Sequence, residues 1–179
     1  MKCTELLDKD HRIILRAVDV LDEMADEVKK GQSVDARDVE SVVRFLKEFE
    51  DEYHQTKEES ALFPILLKNS GAQQAKLGQI LFEHDQERSL VEGLEEALKT
   101  QHGPDFVHFA TRLITLLRAH IYKEEFALFG LIEHTLSDEQ DRCVVAEFSS
   151  FDEQFASCGN DLLKRLHILE DKYVRRRTA

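Results

Sequence analysis

Residues 39–65 read VESVVRFLKEFEDEYHQTKEESALFPI. Val39, Val43, Leu46, His54, Glu58, Ala61 and Ile65 recur at helical steps, so they share one side of a helix. An apolar stripe of this kind is what any core-facing helix needs. A histidine and a glutamate four residues apart inside the stripe are not. Residues so spaced lie roughly 6 Å apart on one face. An imidazole and a carboxylate at that distance can bind neighbouring cations, and the carboxylate can bridge them. Pro64 predicts a bend or loosening of the helix, and the Asn69-Ser70-Gly71 cluster predicts its end.

The same periodicity covers the rest of the chain. Upstream, Leu7, His11, Ile14, Val18, Leu21, Ala25 and Val28 form one helical face. Gly31 breaks it, and Asp35 is placed to cap the next helix. Downstream, Leu77, Leu81, His84, Val91 and Leu98 face inward on a third helix. Gly103-Pro104 opens a fourth, whose stripe is Phe106, Phe109, Leu113, Leu117, His120, Glu124 and Leu131. Ser137 with Gln140 matches a capping box for a further helix. Gly159-Asn160 predicts a division of that last region into two pieces, with Leu162, Leu163, Leu166, Leu169 and Tyr173 as the apolar side of the second. The pattern predicts an all-α fold of one domain over 1–179. Residues 1–136 form an antiparallel up-down four-helix bundle, and 137–179 form a helical cover.

The turns set the height of each histidine. His11 lies 20 residues before Gly31, and His54 lies 19 after Asp35. Gly71 lies 13 residues after Glu58 and 13 before His84. His84 lies 19 before Gly103, and His120 lies 17 after it. At ~1.5 Å of rise per residue the mismatches are a few ångströms. In antiparallel helices, His11, His54, Glu58, His84, His120 and Glu124 therefore fall in one layer. A single histidine on an apolar face is ordinarily a satisfied core residue. Four of them with two carboxylates at one level would each cost about 1–3 kcal/mol if left buried and unpaired. Bundle interiors are known hosts for metal sites. Four imidazoles and two carboxylates suit iron, while zinc or manganese also accept these ligand types. Of the remaining histidines, His102 sits in a turn and His108 lies off the stripe. His134 is near a helix C-terminus, where the helix dipole favours a charged imidazole. His167 adjoins the last apolar face.

Composition agrees. Charged residues are 34% of the chain, with 7 Gly and 2 Pro, as long amphipathic helices require and a many-stranded sheet does not. The formal net charge of −12 disfavours nucleic acid and anionic membrane surfaces as partners. The basic cluster Arg175-Arg176-Arg177 reads as solvated charge. No stretch resembles a signal peptide or approaches the ~20 apolar residues of a membrane span. Cys3, Cys143 and Cys158 fit no metal-ligand spacing, and a cytoplasmic location is expected.

His11, His54-x-x-x-Glu58, His84 and His120-x-x-x-Glu124 lie within DHRIILRAVDVL, YHQTKEESALFP, FEHDQERSLV and HIYKEEFALF. In that order they resemble the hemerythrin-like (HHE cation-binding) domain over about residues 8–136, and the C-terminal helices resemble those of bacterial members. The resemblance implies a non-haem di-iron centre, oxo- or hydroxo-bridged, with Glu58 and Glu124 bridging and His11, His54, His84 and His120 as terminal ligands. Oxygen carriers of that family have a second histidine four residues from the third-helix ligand. Here those positions are Ile80 and Arg88, so one imidazole is missing and an open coordination position is expected. Tyr53 stands where many relatives have another histidine; its phenol can approach an iron, hydrogen-bond to a bound ligand, or pack. Glu83 and Glu87 flank His84 as candidate oxygen ligands, and Tyr122 joins Tyr53 as a candidate acid or base. Ile14, Leu62 and Leu117 are expected to set access and polarity. The implied function is binding of, or reaction with, oxygen, nitric oxide or hydrogen peroxide, including peroxidase or nitric-oxide-processing activity with a redox partner. Alternatives are an iron- or oxygen-responsive sensor and reversible oxygen storage.

Overall fold

The computed structural model describes residues 1–69 and 74–175. The sequence expectations at Ser70, Gly71, Arg176 and Arg177 lie outside those residues. Helix α1 (Lys2–Lys29) ends where Gly31 takes φ +76°, a conformation that suits a residue without Cβ. Asp35 caps α2 (Ala36–Phe45), its carboxylate accepting from the Arg37 amide at 2.9 Å. From α2 one long rod continues through π-helical stretches at Leu46–Gln55 and Glu58–Leu62 into α3 (Phe63–Asn69). Then comes α4 (Gln74–Thr100), followed by α5 (Gly103–Lys123) with Pro104 in its first turn. The His102 ring caps α5 by accepting from the Asp105 amide at 3.3 Å. A third π stretch, Glu124–Leu128, joins α5 to α6 (Phe129–Thr135).

Short connections make successive rods antiparallel. Around the bundle, α1 packs on α5, α5 on α4, α4 on α2, and α2 on α1. The capping box of Ser137 and Gln140 starts α7 (Asp138–Tyr173), which lies over α1 and the second rod. Contrary to the expected break at Gly159-Asn160, α7 is continuous. Gly159 is buried beneath Phe155, four residues earlier, and a Cβ there would sit 2.6 Å from the Phe155 ring. The Asn160 side chain bonds back to the Ala156 carbonyl at 3.1 Å instead of ending the helix.

The loosening expected at Pro64 takes the form of the π turn just before it. The Phe63 amide bonds to the Glu58 carbonyl, five residues back, and the Phe129 amide bonds to the Glu124 carbonyl in the same way. Each π turn adds a residue and rotates the face that follows. Leu66 and Ile132 are therefore fully buried, where the periodicity pointed to Ile65 and Leu131, both only half-buried. The buried apolar residues form two clusters. One contains Ile14, Leu21, Phe45, Leu94 and Leu117; the other contains Leu7, Leu62, Leu66, Ile132 and Phe148. Between them runs a layer of buried polar groups.

Candidate metal centre

That layer holds the six residues singled out by spacing. His11, His54, Glu58 and Glu124 form one group, and His84, His120 and Glu124 form a second. Within each group the donor atoms lie inside 4.8 Å of one another, and all are buried. Glu58 stands between two imidazoles, with Oε2 3.8 Å from His54 Nε2 and 3.6 Å from His84 Nε2. Glu124 does the same, with Oε2 3.1 Å from His11 Nε2 and Oε1 3.4 Å from His120 Nε2. The His11 and His54 rings meet edge to face at 4.9 Å, as do those of His84 and His120. Both carboxylates thus lie close to both imidazole pairs, and each group has donors that could hold a metal ion.

The inner atoms converge to ion-pair distance but make no aligned hydrogen bond with each other. His11 Nε2, His84 Nε2, both oxygens of Glu58 and both of Glu124 are buried with no hydrogen-bond partner among the described residues, as is Glu87 Oε1. Buried polar atoms are almost always paired. Those of His11, His84, Glu58 and Glu124 cluster in one place, and a cation would satisfy them.

The outer ring nitrogens are all held. Nδ1 of His11 meets Glu125 at 3.1 Å, and Nδ1 of His84 meets Glu59 at 2.7 Å. Nδ1 of His54 meets Asp10 at 3.5 Å, and Nδ1 of His120 meets Glu83 at 3.0 Å. A carboxylate behind each ring fixes the tautomer that turns Nε2 inward and raises its basicity. Lys57 bonds to Asp10 at 2.7 Å, and Lys123 bonds to Glu83. Phe63 stacks on His84 and Phe129 on His11. The site therefore has a twofold plan: α1 and the second rod (α2 through α3) repeat as α4 and the fourth rod (α5 through α6). Adjacent helix positions point about 100° apart, so the first Glu of each Glu-Glu pair enters the layer while the second braces a ring on the next helix.

The charges reveal the same strain. At His11 and His120 burial opposes protonation, but Glu124 and Glu125 raise His11 to about 9, and Glu124, Glu83 and Glu87 raise His120 to about 9. At His54 burial prevails over Asp10 and lowers it to about 4. Burial, then the charges of Glu124 and Glu87, push Glu58 well above the carboxylate range. Burial also opposes ionisation of Glu124, yet His120 and His11 hold it at about 2.

The profile of the hemerythrin HHE cation binding domain matches residues 3–132. The chain belongs to this family. No curated protein and no solved structure matches it. Cation binding is the family's property, and the buried His/Glu layer of this HHE domain has the donors for it.

The structure separates the other sequence candidates. Tyr53 does not point at the layer; its hydroxyl donates to Asp152 of α7 at 2.5 Å, and its ring stacks on Phe155. Tyr122 is exposed, as is His167, whose ring lies beside Glu170 and Asp171. Glu83 is not an inner oxygen donor but the brace of His120. Ile80 is buried apolar, and Arg88 turns away to Asp51, Gln55, Glu59 and Asp85, so neither replaces the missing imidazole. Glu87 is fully buried, and with Glu50 it flanks the Gln55 amide, which donates to both. Burial, then Asp51, raises Glu50 to about 8, and burial, then Glu50, raises Glu87 well above its ordinary value. Sequence reading missed Asp10, Glu59 and Glu125 as braces, and Lys57 and Lys123 behind them. The signal was present: Lys-Glu-Glu-x-Ala-Leu-Phe occurs at 57–63 and again at 123–129. Among the described residues, no helix is long and apolar enough to cross a membrane.

Proposed function

We propose that this HHE domain holds two iron ions, bridged by Glu58 and Glu124, and binds or reacts with oxygen, nitric oxide or hydrogen peroxide. The observation that carries the reading is the set of inward atoms on His11, His84, Glu58 and Glu124 that lack any hydrogen-bond partner while all four outer imidazole nitrogens have one. His11 and His54 would hold one ion, His84 and His120 the other. The acidic side chains Asp10, Glu59, Glu83 and Glu125 offset cationic charge through the rings. When bound, an iron pair supplies two adjacent redox-active Lewis acids that take up a small ligand and exchange electrons with it.

The chain's own residues favour reaction over carriage. No imidazole replaces Ile80 or Arg88, so the His84/His120 position has fewer protein donors. Burial, then Glu50, raises Glu87 well above the ordinary carboxylate value, which favours its holding a proton. Ile14, Leu62 and Leu117, all buried, keep bulk water from the layer. The test is metal analysis with an absorption spectrum of freshly isolated protein, read before and after oxygen, peroxide or nitric oxide. Two irons per chain and a spectrum altered by one of these, with turnover, are expected. Protein that binds no metal, or whose spectrum none of the three changes, would sink the reading.

A further inference from the structure

The two halves of the site share one plan, and α7 breaks it. In the register of the repeats, Lys57 corresponds to Lys123, Asp10 to Glu83, and Tyr53 to Ala119. Lys57 is 2% exposed and is held on every side. Its Nζ lies 2.7 Å from Asp10, 3.0 Å from the Tyr53 hydroxyl and 3.6 Å from Asp152, with the rings of Tyr53 and Phe148 beneath it at 4.3 and 5.1 Å. Phe148 and Asp152 belong to α7. Side chains thus run without a gap from Asp152 on α7 through Tyr53 and Lys57 to Asp10, and from Asp10 to the His54 ring.

The other half ends early. Lys123 reaches Glu83 but is 39% exposed, and Ala119 offers no hydroxyl. No counterpart of α7 covers that face among the described residues. An open groove of about 820 Å³ lies there, lined by Phe82, Leu90, Phe109, Leu116 and Ala119 among others. Arg88 does support Glu59 behind His84, at 3.3 Å, from a side chain 32% exposed. That support owes nothing to α7.

We propose that Asp152, Tyr53 and Lys57 are positioning residues through which α7 clamps His54, so that α7 controls retention of the cation at the His11/His54 position and not of the one at His84/His120. The inference rests on the two-cation reading above. Asp10 without Lys57 would be a buried anion free to leave His54 Nδ1, and the ring would lose its orientation. Tyr53 and Asp152 keep the Lys57 ammonium in place. A brace of this kind is worth about 10-fold to 100-fold in metal affinity when removed.

The full chain, loaded with cobalt(II), is transferred into excess EDTA, and loss of the visible cobalt bands is followed in time. Tyr53→Phe keeps the ring that stacks on Phe155, and Asp152→Asn is at a half-exposed position, so neither should unfold the protein; circular dichroism checks this. Each variant is expected to release one of two cobalt equivalents about 10-fold faster or more, with the other at the wild-type rate. In a His120→Ala background, which removes a donor from the second position only, Tyr53→Phe still accelerates release. In a His54→Ala background it has no effect. Acceleration of both equivalents alike, or of neither, overturns the role of α7. A wild-type chain that loads fewer than two cobalt ions overturns the two-cation reading itself, and the inference with it.

Discussion

At the scale of single residues, the site works by division of labour between neighbours in sequence. Glu58 and Glu124 face inward, while Glu59 and Glu125 brace rings on adjacent helices. Removing a brace leaves the inner donors in place but frees a ring. Glu59→Ala and Glu125→Ala are therefore expected to lower cation affinity about 10-fold to 100-fold without loss of helicity. Competition with a chromophoric chelator reads this, and unchanged affinity would show that the braces do not orient their rings. Glu50 has a different consequence. Its folded value of about 8 lies above that of an unfolded glutamate, so the folded state binds the extra proton. Its stabilising effect is complete below the unfolded value and disappears as pH rises through about 8. His11 and His120, raised to about 9, act in the same direction above their unfolded value. Metal-free protein should lose urea resistance as pH rises from the ordinary glutamate value of 4.5 to about 9, with His54, lowered to about 4, opposing the fall below its ordinary value of 6.5, and Glu50→Gln should flatten the part of the fall below about pH 8. A Glu50→Gln curve parallel to wild type would contradict the assignment.

At the scale of elements, the π turns and α7 set the geometry. The turns at Glu58–Leu62 and Glu124–Leu128 start at the inward glutamates, so each glutamate sits where the helix changes register. That change lets Leu66 and Ile132 fill the core beyond the polar layer while His54 and His120 stay inside it. Helix α7 depends on Gly159, over which Phe155 folds to reach Tyr53 and Phe49. Alanine is the better helix former, but its Cβ would strike the Phe155 ring. Displacing a ring packed between two others should outweigh propensity, so Gly159→Ala is expected to destabilise the fold by about 1–3 kcal/mol. Thermal unfolding measures this, and an unchanged or raised melting temperature would mean that Phe155 moves at little cost.

At the scale of the whole molecule, a polar layer divides the bundle between two apolar clusters. Such a layer weakens a core unless something fills it. Bound cations should therefore stabilise the folded chain in proportion to their affinity, by about 4 kcal/mol at a thousandfold excess over the dissociation constant. Chelation is expected to lower the melting temperature of loaded protein and re-addition of iron(II) to restore it; calorimetry on both forms checks this, and coincident transitions would argue against a filled layer. The cysteines take no part in it. Cys3 is buried, its thiol pushed up to about 12 mainly by burial, while Cys143 is exposed.

Local spacing was enough to give the four rods, the Asp35 cap of the second and the Ser137/Gln140 cap of α7, and the height at which His11, His54, Glu58, His84, His120 and Glu124 meet, but not the His102 cap of α5. Helical spacing is a local rule, and turns a few residues long leave antiparallel neighbours little freedom. Packing of the helices against one another settles which carboxylate braces which ring, that Tyr53 turns to Asp152 instead of the centre, that Gly159 continues a helix, and that Leu66 and Ile132 replace Ile65 and Leu131 in the core. Those outcomes depend on the rotation of each helix about its axis and on what packs against it. A π turn alters that rotation by a residue, and a covering helix supplies partners from a hundred residues away, which no spacing within one segment encodes.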